Sequence, residues 1–329
     1  MLKTSSFVCG VYFFGLRIAL LAGMTTSSAL QLPITSFCPK CGLANAKAQR
    51  HGSFFSKHSG PIPRWKCVQC KKTFSLATHS LCFKQHRRDM NFVIFRDLTS
   101  GISQNRLAIN LGLNRKTIVR KFLFLGTLAK MLFEEGNAQL PKVKEIEFDD
   151  LESFEHTKCK PLSVTLAVEF RTRRILGFQV SQMPAKGLLA AISRKKYGLR
   201  PDHRRMGREK LFTQIKDLLT PNAKIKSDQN PHYPRDVKKH FPDCAHETLK
   251  GRRGCVTGQG ELKRGGFDPL FSLNHTCAKM RSDINRLIRR TWCTTKKPKR
   301  LELHIAMFTL RHNFELLKKQ KKKSAKKAA

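Results

Sequence analysis

Acidic side chains are what this sequence has least of for its size. Asp and Glu number 23 against 64 Lys and Arg over 329 residues, a formal net charge of +41. A compact chain so unbalanced repels itself unless a polyanion neutralises it, and nucleic acid is the usual partner. Basic ribosomal or chromatin-like proteins share that charge, so composition does not choose among them and motifs must. No internal repeat stands out, and the chain is not read as a repeat array. A disulfide framework is lacking as well. The 11 cysteines are an odd number, and four of them form two C-x2-C pairs, a spacing that suits a metal site and a reducing compartment. Apolar residues are 40% of the chain, enough for a core, and the length allows two or three small domains.

One long apolar run exists, residues 7–24, interrupted by Arg17, preceded by Lys3 and followed by Ser27, Ser28 and Ala29. It resembles a secretory signal and touches the lower limit for a membrane span. The charge and the cysteine pairs fit neither secretion nor a membrane. Residues 1–31 are therefore read as a start-site artefact, with Met24 as the start; a working targeting segment is the alternative.

Cys38-Pro39-Lys40-Cys41 is followed, after 25 intervening residues, by Cys67-Val68-Gln69-Cys70. Zinc prefers four tetrahedral ligands, and two such knuckles on opposing hairpins place four sulfurs around one ion. The segment, residues 32–80, is too short to bury much apolar surface, so the metal would supply its folding energy. Trp65 and Phe74 flank the second knuckle and could cover the site. Four unrelated buried cysteines are the alternative; the βαβ context of a redox C-x2-C is missing. Ribbons of this kind bind DNA, RNA or proteins.

Residues 84–135 carry apolar residues at helical spacing, and residues 103–122 within them read as a helix-turn-helix. Ser103 can cap the first helix and Asn114 the second. Ala108 is small where two helices cross, and Gly112 sits where a tight turn needs positive φ. Leu111, Leu113, Ile118 and Phe122 form the expected inner face. Arg115, Lys116, Thr117, Arg120 and Lys121 form the expected outer face, which suits a recognition helix in the major groove of double-stranded DNA. An ordinary helical hairpin is the alternative.

After a linker at residues 136–142, residues 145–150 read as a strand ending in Asp149 and Asp150. Residues 163–170 and 175–180 alternate as a hairpin turned by Arg171-Thr172-Arg173-Arg174. A helix over residues 206–219 follows, then a short strand at 223–228 tipped by Asp228. Acid-tipped strand, hairpin, helix and acid-tipped strand is the order of a ribonuclease-H-like domain, where two carboxylates hold two divalent ions. Hard Mg2+ or Mn2+ suits these oxygen ligands. Surface strand ends, or a turn begun at Asp228 before Asn230-Pro231, would explain the same acids. His232, His240, Cys244, His246 and Cys255 are irregularly spaced and read as scattered loop residues rather than a second zinc site.

From about residue 36 to 312 the chain resembles the insertion-sequence-one transposases and their relatives, most closely over residues 280–293, Met280-Arg281-Ser282-Asp283-Ile284-Asn285-Arg286-Leu287-Ile288-Arg289-Arg290-Thr291-Trp292-Cys293. The resemblance implies a multidomain α+β protein: zinc ribbon, helix-turn-helix at 84–135, ribonuclease-H-like α/β core at 143–312 with a loop insertion at 229–271, and a basic tail at 313–329. It implies strand cleavage and transfer at Asp149 and Asp228, with Arg281 steadying the scissile phosphate and His304 assisting. The family's third acid falls on Asn274, whose amide oxygen can bind a metal without adding charge. A plain cap for a helix starting at His275 is the other reading of Asn274, and Glu261 the other third ligand. Leu151 and Glu152 stand where the family has an aromatic, which leaves Asp149 and Asp150 to be distinguished. The implied partners are element ends and target DNA, with the protein a homo-oligomer on DNA, cytoplasmic and nucleoid-associated, with no membrane partner. A degenerate transposase that binds without cutting, and an RNA- or ribosome-associated basic protein, are the rival functions.

Overall fold

The computed structural model describes residues 38, 40–42, 47–56, 60–75, 78, 82–83, 85–250, 268–288 and 291–328, and the chain divides after residue 93 into two compact units. Residues 1–31, Cys255 and Glu261 lie outside the described residues. Among those described, no helix is long and apolar enough to cross a membrane.

The first unit holds an antiparallel meander of β1 (Ala48–Ser56), β2 (Gly60–Cys67) and β3 (Thr73–Ser75) in the order β1-β2-β3. Its hydrophobic cluster is Cys38, Cys67 and Phe74, with Cys41, Ala48, Trp65 and Cys70 packed against it. Four of those seven are cysteines, so very little hydrocarbon holds these strands together.

The second unit combines helices with a five-stranded sheet. Helix α1 (Asn91–Leu98) leads into it, burying Ile94, Phe95 and Leu98. Helices α2 (Gln104–Asn110) and α3 (Arg115–Ala138) follow. The sheet comprises β4 (Val143–Phe154), β5 (Pro161–Glu169), β6 (Ile175–Gln182), β7 (Leu219–Ser227) and β8 (Ala245–Thr248). The strand order is β6-β5-β4-β7-β8; β5 is antiparallel to both of its neighbours, β4 and β6, whereas β7 and β8 run parallel to β4. Strand β5 is buried from Leu162 to Val168 without alternation, as a strand covered on both faces must be.

Side-chain alternation along β4 sorts the covering helices. The Phe148 ring meets Phe212 of α5 (Arg204–Ile215) and Tyr233 of α6 (Tyr233–His240). Its neighbour Glu147 accepts the backbone N–H of Leu273 in α7 (Phe271–Asp283) at 2.7 Å. Adjacent strand residues point to opposite faces, so α5 and α6 cover one side of the sheet and α7 the other. Helix α4 (Leu189–Tyr197) lies between β6 and α5 in the chain and was not placed by the sequence reading.

Two features depart from the sequence reading. The loop insertion expected at 229–271 carries α6 and β8 in its described part, and the helical C-terminal region is split into α7 and α8 (Pro298–Ala328). Proline at the first position of α8 starts a helix readily and cannot continue one from the preceding turn. Beyond Lys318 the lysine- and alanine-rich stretch continues α8 to Ala328, in keeping with the helix propensity of both residue types.

Helix α8 is buried nearly all round from Leu301 to Leu310, with only Glu302 half-buried. A helix apolar on every side belongs in a core. It packs on α3 so closely that a Cβ on Gly126 would stand 2.7 Å from the Leu303 Cβ and 3.2 Å from its carbonyl oxygen. Gly126→Val is therefore expected to force the two helices apart. Overpacking of this kind costs about 1–3 kcal/mol, read as a fall in Tm on thermal denaturation; an unchanged Tm would mean that the helices do not cross there.

Candidate functional site

Asp149 lies on β4 at the centre of the sheet, and Asp228 follows the last residue of β7. The parallel register pairs Ile146 with Ile225 and Glu147 with Lys226. Continued two residues, it sets Asp149 level with Asp228 on neighbouring strands. Burial pushes the Asp149 carboxyl up to about 7, and the Asp228 charge pushes in the same direction. Two hydrogen bonds oppose the rise: Asp149 Oδ1 accepts the Asp150 N–H at 2.7 Å and the Tyr233 hydroxyl at 3.0 Å. Tyr233 is fully buried, and burial followed by the surrounding carboxylates keeps its phenol protonated.

Asp150 is placed differently. It points to the α5 side of the sheet, where it accepts the Thr165 hydroxyl at 2.5 Å and lies 3.6 Å from the Arg208 guanidinium. Arg208 also pairs with buried Asp236 at 2.8 Å. Asp150 is thus committed to a structural ion-pair network, and Asp149 is the acid that faces Asp228.

Helix α7 borders the acid pair. Asn274, Cys277 and Arg281 recur three and four residues apart, so they share one helix face. Burial, followed by the Asp149 charge, raises the Cys277 thiol to about 12, and Arg281 acts in the opposite sense. One thiol therefore feels both Asp149 and Arg281. Asn274 is exposed and donates its amide to Asp268 Oδ2 at 2.8 Å. It sits inside α7 rather than at its cap, because the helix begins at Phe271. Glu147 is fully buried, and burial raises it to about 7 while the Leu273 N–H acts against the rise. Its carboxyl meets an otherwise orphaned N–H in the first turn of α7 and so fixes the start of that helix against β4. Glu147, Tyr233, Asp268 and Cys277 escaped the sequence reading. Only the alternation of Glu147 with Asp149 along one strand hinted at any of them.

His304 is not at this site. It is 2% exposed, its Nε2 lies 2.7 Å from the Leu98 carbonyl oxygen, and its ring meets Phe122 edge-on at 5.7 Å. Burial, followed by the Arg286 charge, lowers it to about 4, so it is a neutral packing residue. The assisting role expected for it is dropped.

The four cysteines do come together. Their sulfurs all lie within 4.8 Å of one another, with Cys38 3.7 Å from Cys70 and Cys41 4.0 Å from Cys67. A tetrahedral ion with metal–sulfur bonds of about 2.3 Å sets its sulfurs about 3.8 Å apart. The two knuckles fold alike: Gly42 N–H donates to the Cys38 carbonyl and Lys71 N–H to the Cys67 carbonyl, both at 3.0 Å. Backbone N–H groups, that of Cys70 foremost, hold the Cys67 thiol down at about 7 and favour the thiolate. This group could hold a metal such as zinc. Among the described residues it is the one cluster of His, Cys, Asp or Glu with such spacing; His232, His240, Cys244 and His246 do not gather.

No protein-family model and no curated protein matches this chain.

The helical pair at 103–122 has its expected caps. Ser103 Oγ accepts the Arg106 N–H at 3.2 Å and Asn114 Oδ1 the Lys116 N–H at 2.8 Å. Gly112 turns the chain at φ +60°. Leu107, Ala108, Ile118 and Phe122 are buried, Leu111 and Leu113 half-buried. Arg115, Lys116 and Arg120 are exposed and Thr117 half-buried. Lys121 departs from expectation, being 5% exposed. It stands three residues after Ile118 and four before Leu125, which is the period of the inner face.

Proposed function

We propose that this chain is a metal-dependent DNA transposase of the insertion-sequence-one kind, which cleaves and joins strands at its element's ends. The observation that carries the reading is the placement of Asp149 and Asp228, level on adjacent parallel strands, with Asp149 half-buried and raised to about 7. A carboxylate disfavoured by burial and by the charge of a neighbouring acid makes a site that a divalent cation would complete, and hard oxygen donors suit Mg2+ or Mn2+. The strand order β6-β5-β4-β7-β8, with its antiparallel half and parallel half, supports a ribonuclease-H-like core.

Asp149 and Asp228 would hold the metal, with the Asn274 amide oxygen as third ligand. When bound, such ions activate a water or 3′-hydroxyl and stabilise the leaving oxygen. Tyr233 holds Asp149 in place through Oδ1, and Glu147 holds the helix that presents Asn274 and Arg281. Arg281 would steady the scissile phosphate. Zinc in the four-cysteine ribbon would shape the first unit, and Arg115, Lys116, Thr117 and Arg120 would meet duplex DNA, with the protein acting as a homo-oligomer there. The exposed Asn274, bonded to Asp268, favours one second reading: a degenerate transposase that binds without cutting.

The test is cleavage of the repeats flanking the gene, with Mg2+ or Mn2+, by wild type and Asp228→Ala. Nicking at the repeat ends that disappears in the variant is the expected result. Repeat binding with no nicking under either metal establishes the degenerate reading. Nicking that survives in Asp228→Ala overturns the assignment of the acids, and a preference for RNA over the repeat duplex overturns both readings.

A further inference from the structure

The hairpin of β4 and β5 does not stop at the acids. Pairing continues from Asp149 with Leu166 to Phe154 with Pro161, whereas β7 ends at Ser227. Five residues of strand at about 3.4 Å each thus carry the tip of the hairpin beyond the level of the acid pair. Three segments are fastened together at this tip. Ser193 of α4 donates to the Cys159 carbonyl at 2.6 Å, and Lys160 Nζ sits 4.6 Å over the Tyr197 ring. Arg200 lies 3.8 Å from Glu155. The Thr295 carbonyl accepts the His156 N–H at 2.7 Å, with a parallel bridge between Glu155 and Thr295.

The surface so assembled is basic and carries a bare aromatic. Residues 183–201 contain Lys186, Arg194, Lys195, Lys196 and Arg200 and no acid. Lys158, Arg194, Lys195 and Lys196 are exposed, as are Lys296 and Lys297 next to Thr295. The nearby acids are occupied: Glu155 by Arg200 and Glu152 by Lys186. Trp292, three residues before the anchored Thr295, is 98% exposed. An indole left wholly in water, four and five residues before exposed Lys296 and Lys297, has the chemistry of a stacking platform, since every base presents a π face and every phosphate a charge.

We propose that the hairpin tip, α4 and Trp292 form a second nucleic-acid contact, separate from the helix-turn-helix, in which Trp292 stacks on an unpaired base of a DNA strand. The contact deepens the reading of the chain as a DNA-processing protein, but its test needs no cleavage. The chain has two tryptophans, Trp65 and Trp292, so Trp65→Phe leaves Trp292 as the sole indole reporter. The probes are a blunt duplex and the same duplex with a single-stranded overhang, added without divalent metal to the full chain.

Overhang DNA is expected to quench most of the Trp292 emission and shield it from acrylamide, and blunt duplex to do neither. Trp292→Ala in the otherwise wild-type chain is expected to weaken overhang binding about 5- to 100-fold and leave blunt-duplex affinity unchanged; Trp292→Phe restores most of the loss. Lys195→Ala and Lys196→Ala should each lower the salt slope by about one. Emission untouched by saturating overhang DNA, or equal quenching by blunt duplex, overturns the proposal, as does unchanged overhang affinity in Trp292→Ala. If Trp65→Phe fails to fold, the difference in emission between wild type and Trp292→Phe gives the same signal. Quenching with no nicking under any metal would sink the transposase reading and leave this contact standing; nicking without quenching would do the reverse.

Discussion

Asp149→Asn is expected to make the metal-free protein more stable at pH 8 while abolishing cleavage. The folded-state value of Asp149, about 7, stands above its unfolded value near 4 because burial and Asp228 both disfavour the charge. A carboxyl raised in this way contributes its full stability below the unfolded value and loses it as pH rises through about 7. At pH 8 the folded chain carries the penalty of a half-buried, repelled charge, on the order of a few kcal/mol. Asparagine removes that charge and keeps the geometry, since both hydrogen bonds to Asp149 fall on one oxygen that the amide retains. The variant should melt several degrees above wild type at pH 8, and the gap should close towards pH 5. Added Mg2+ should raise the wild-type Tm at pH 8 and leave the variant unmoved. Cleavage should fall about 100-fold or more, because a metal ligand has been lost. Melting curves at the two pH values decide the matter. A variant less stable than wild type at pH 8, or one that still cuts, would show that Asp149 is not a strained ligand of this kind.

Metal removal should have the larger effect on the first unit. Its cluster is four cysteines, Phe74, Trp65 and Ala48, and a structural zinc is worth about 10–16 kcal/mol in comparable small sites. A strong chelator, or Cys67→Ser, is therefore expected to unfold β1, β2 and β3 outright rather than loosen them. Metal analysis should find one zinc per chain before chelation and none after. Hydrogen exchange should show the amides of β2 and β3 losing their protection, with the β4–β5 pairing in the second unit as internal reference. Retained protection in a metal-free sample would mean that the four sulfurs gather without an ion, and the site would then lose its structural role.

Local chemistry made some features legible in the sequence and hid others. The cysteine pairs, the Ser103 and Asn114 caps and the Gly112 turn are local signals, each set by a few neighbouring residues. The β5–β6 hairpin announces itself by alternation around the Arg171–Arg174 turn. Asp149 could not be told from Asp150 along the chain, because both end the same apolar run; only Arg208 and Thr165, brought in from α5 and β5, claim Asp150. His304 looked available for chemistry and is a core residue, because α8 is buried on all sides. Lys121 was misplaced by its charge, although its spacing from Ile118 and Leu125 was that of the inner face. Strand β4 runs from residue 143 to 154 rather than 145 to 150 because β5 supplies a partner along its whole length, a contact made across the hairpin and absent from local pattern.

At its first two residues β6 is bonded by side-chain amides rather than by another strand. Asn313 Oδ1 accepts the Ile175 N–H at 2.9 Å and its Nδ2 donates to the Ile175 carbonyl at 2.8 Å, while Asn137 donates to the Leu176 carbonyl at 2.9 Å. Asn313 belongs to α8, the last of these elements to emerge from the ribosome. A nascent chain that has released all five strands but not α8 still offers β6 as an open template, beside the apolar bed that α8 will fill. Such edges recruit other strands when nothing covers them. The β6 edge at Ile175 is thus covered only after α8 has been made, and until then it stands open to a foreign strand.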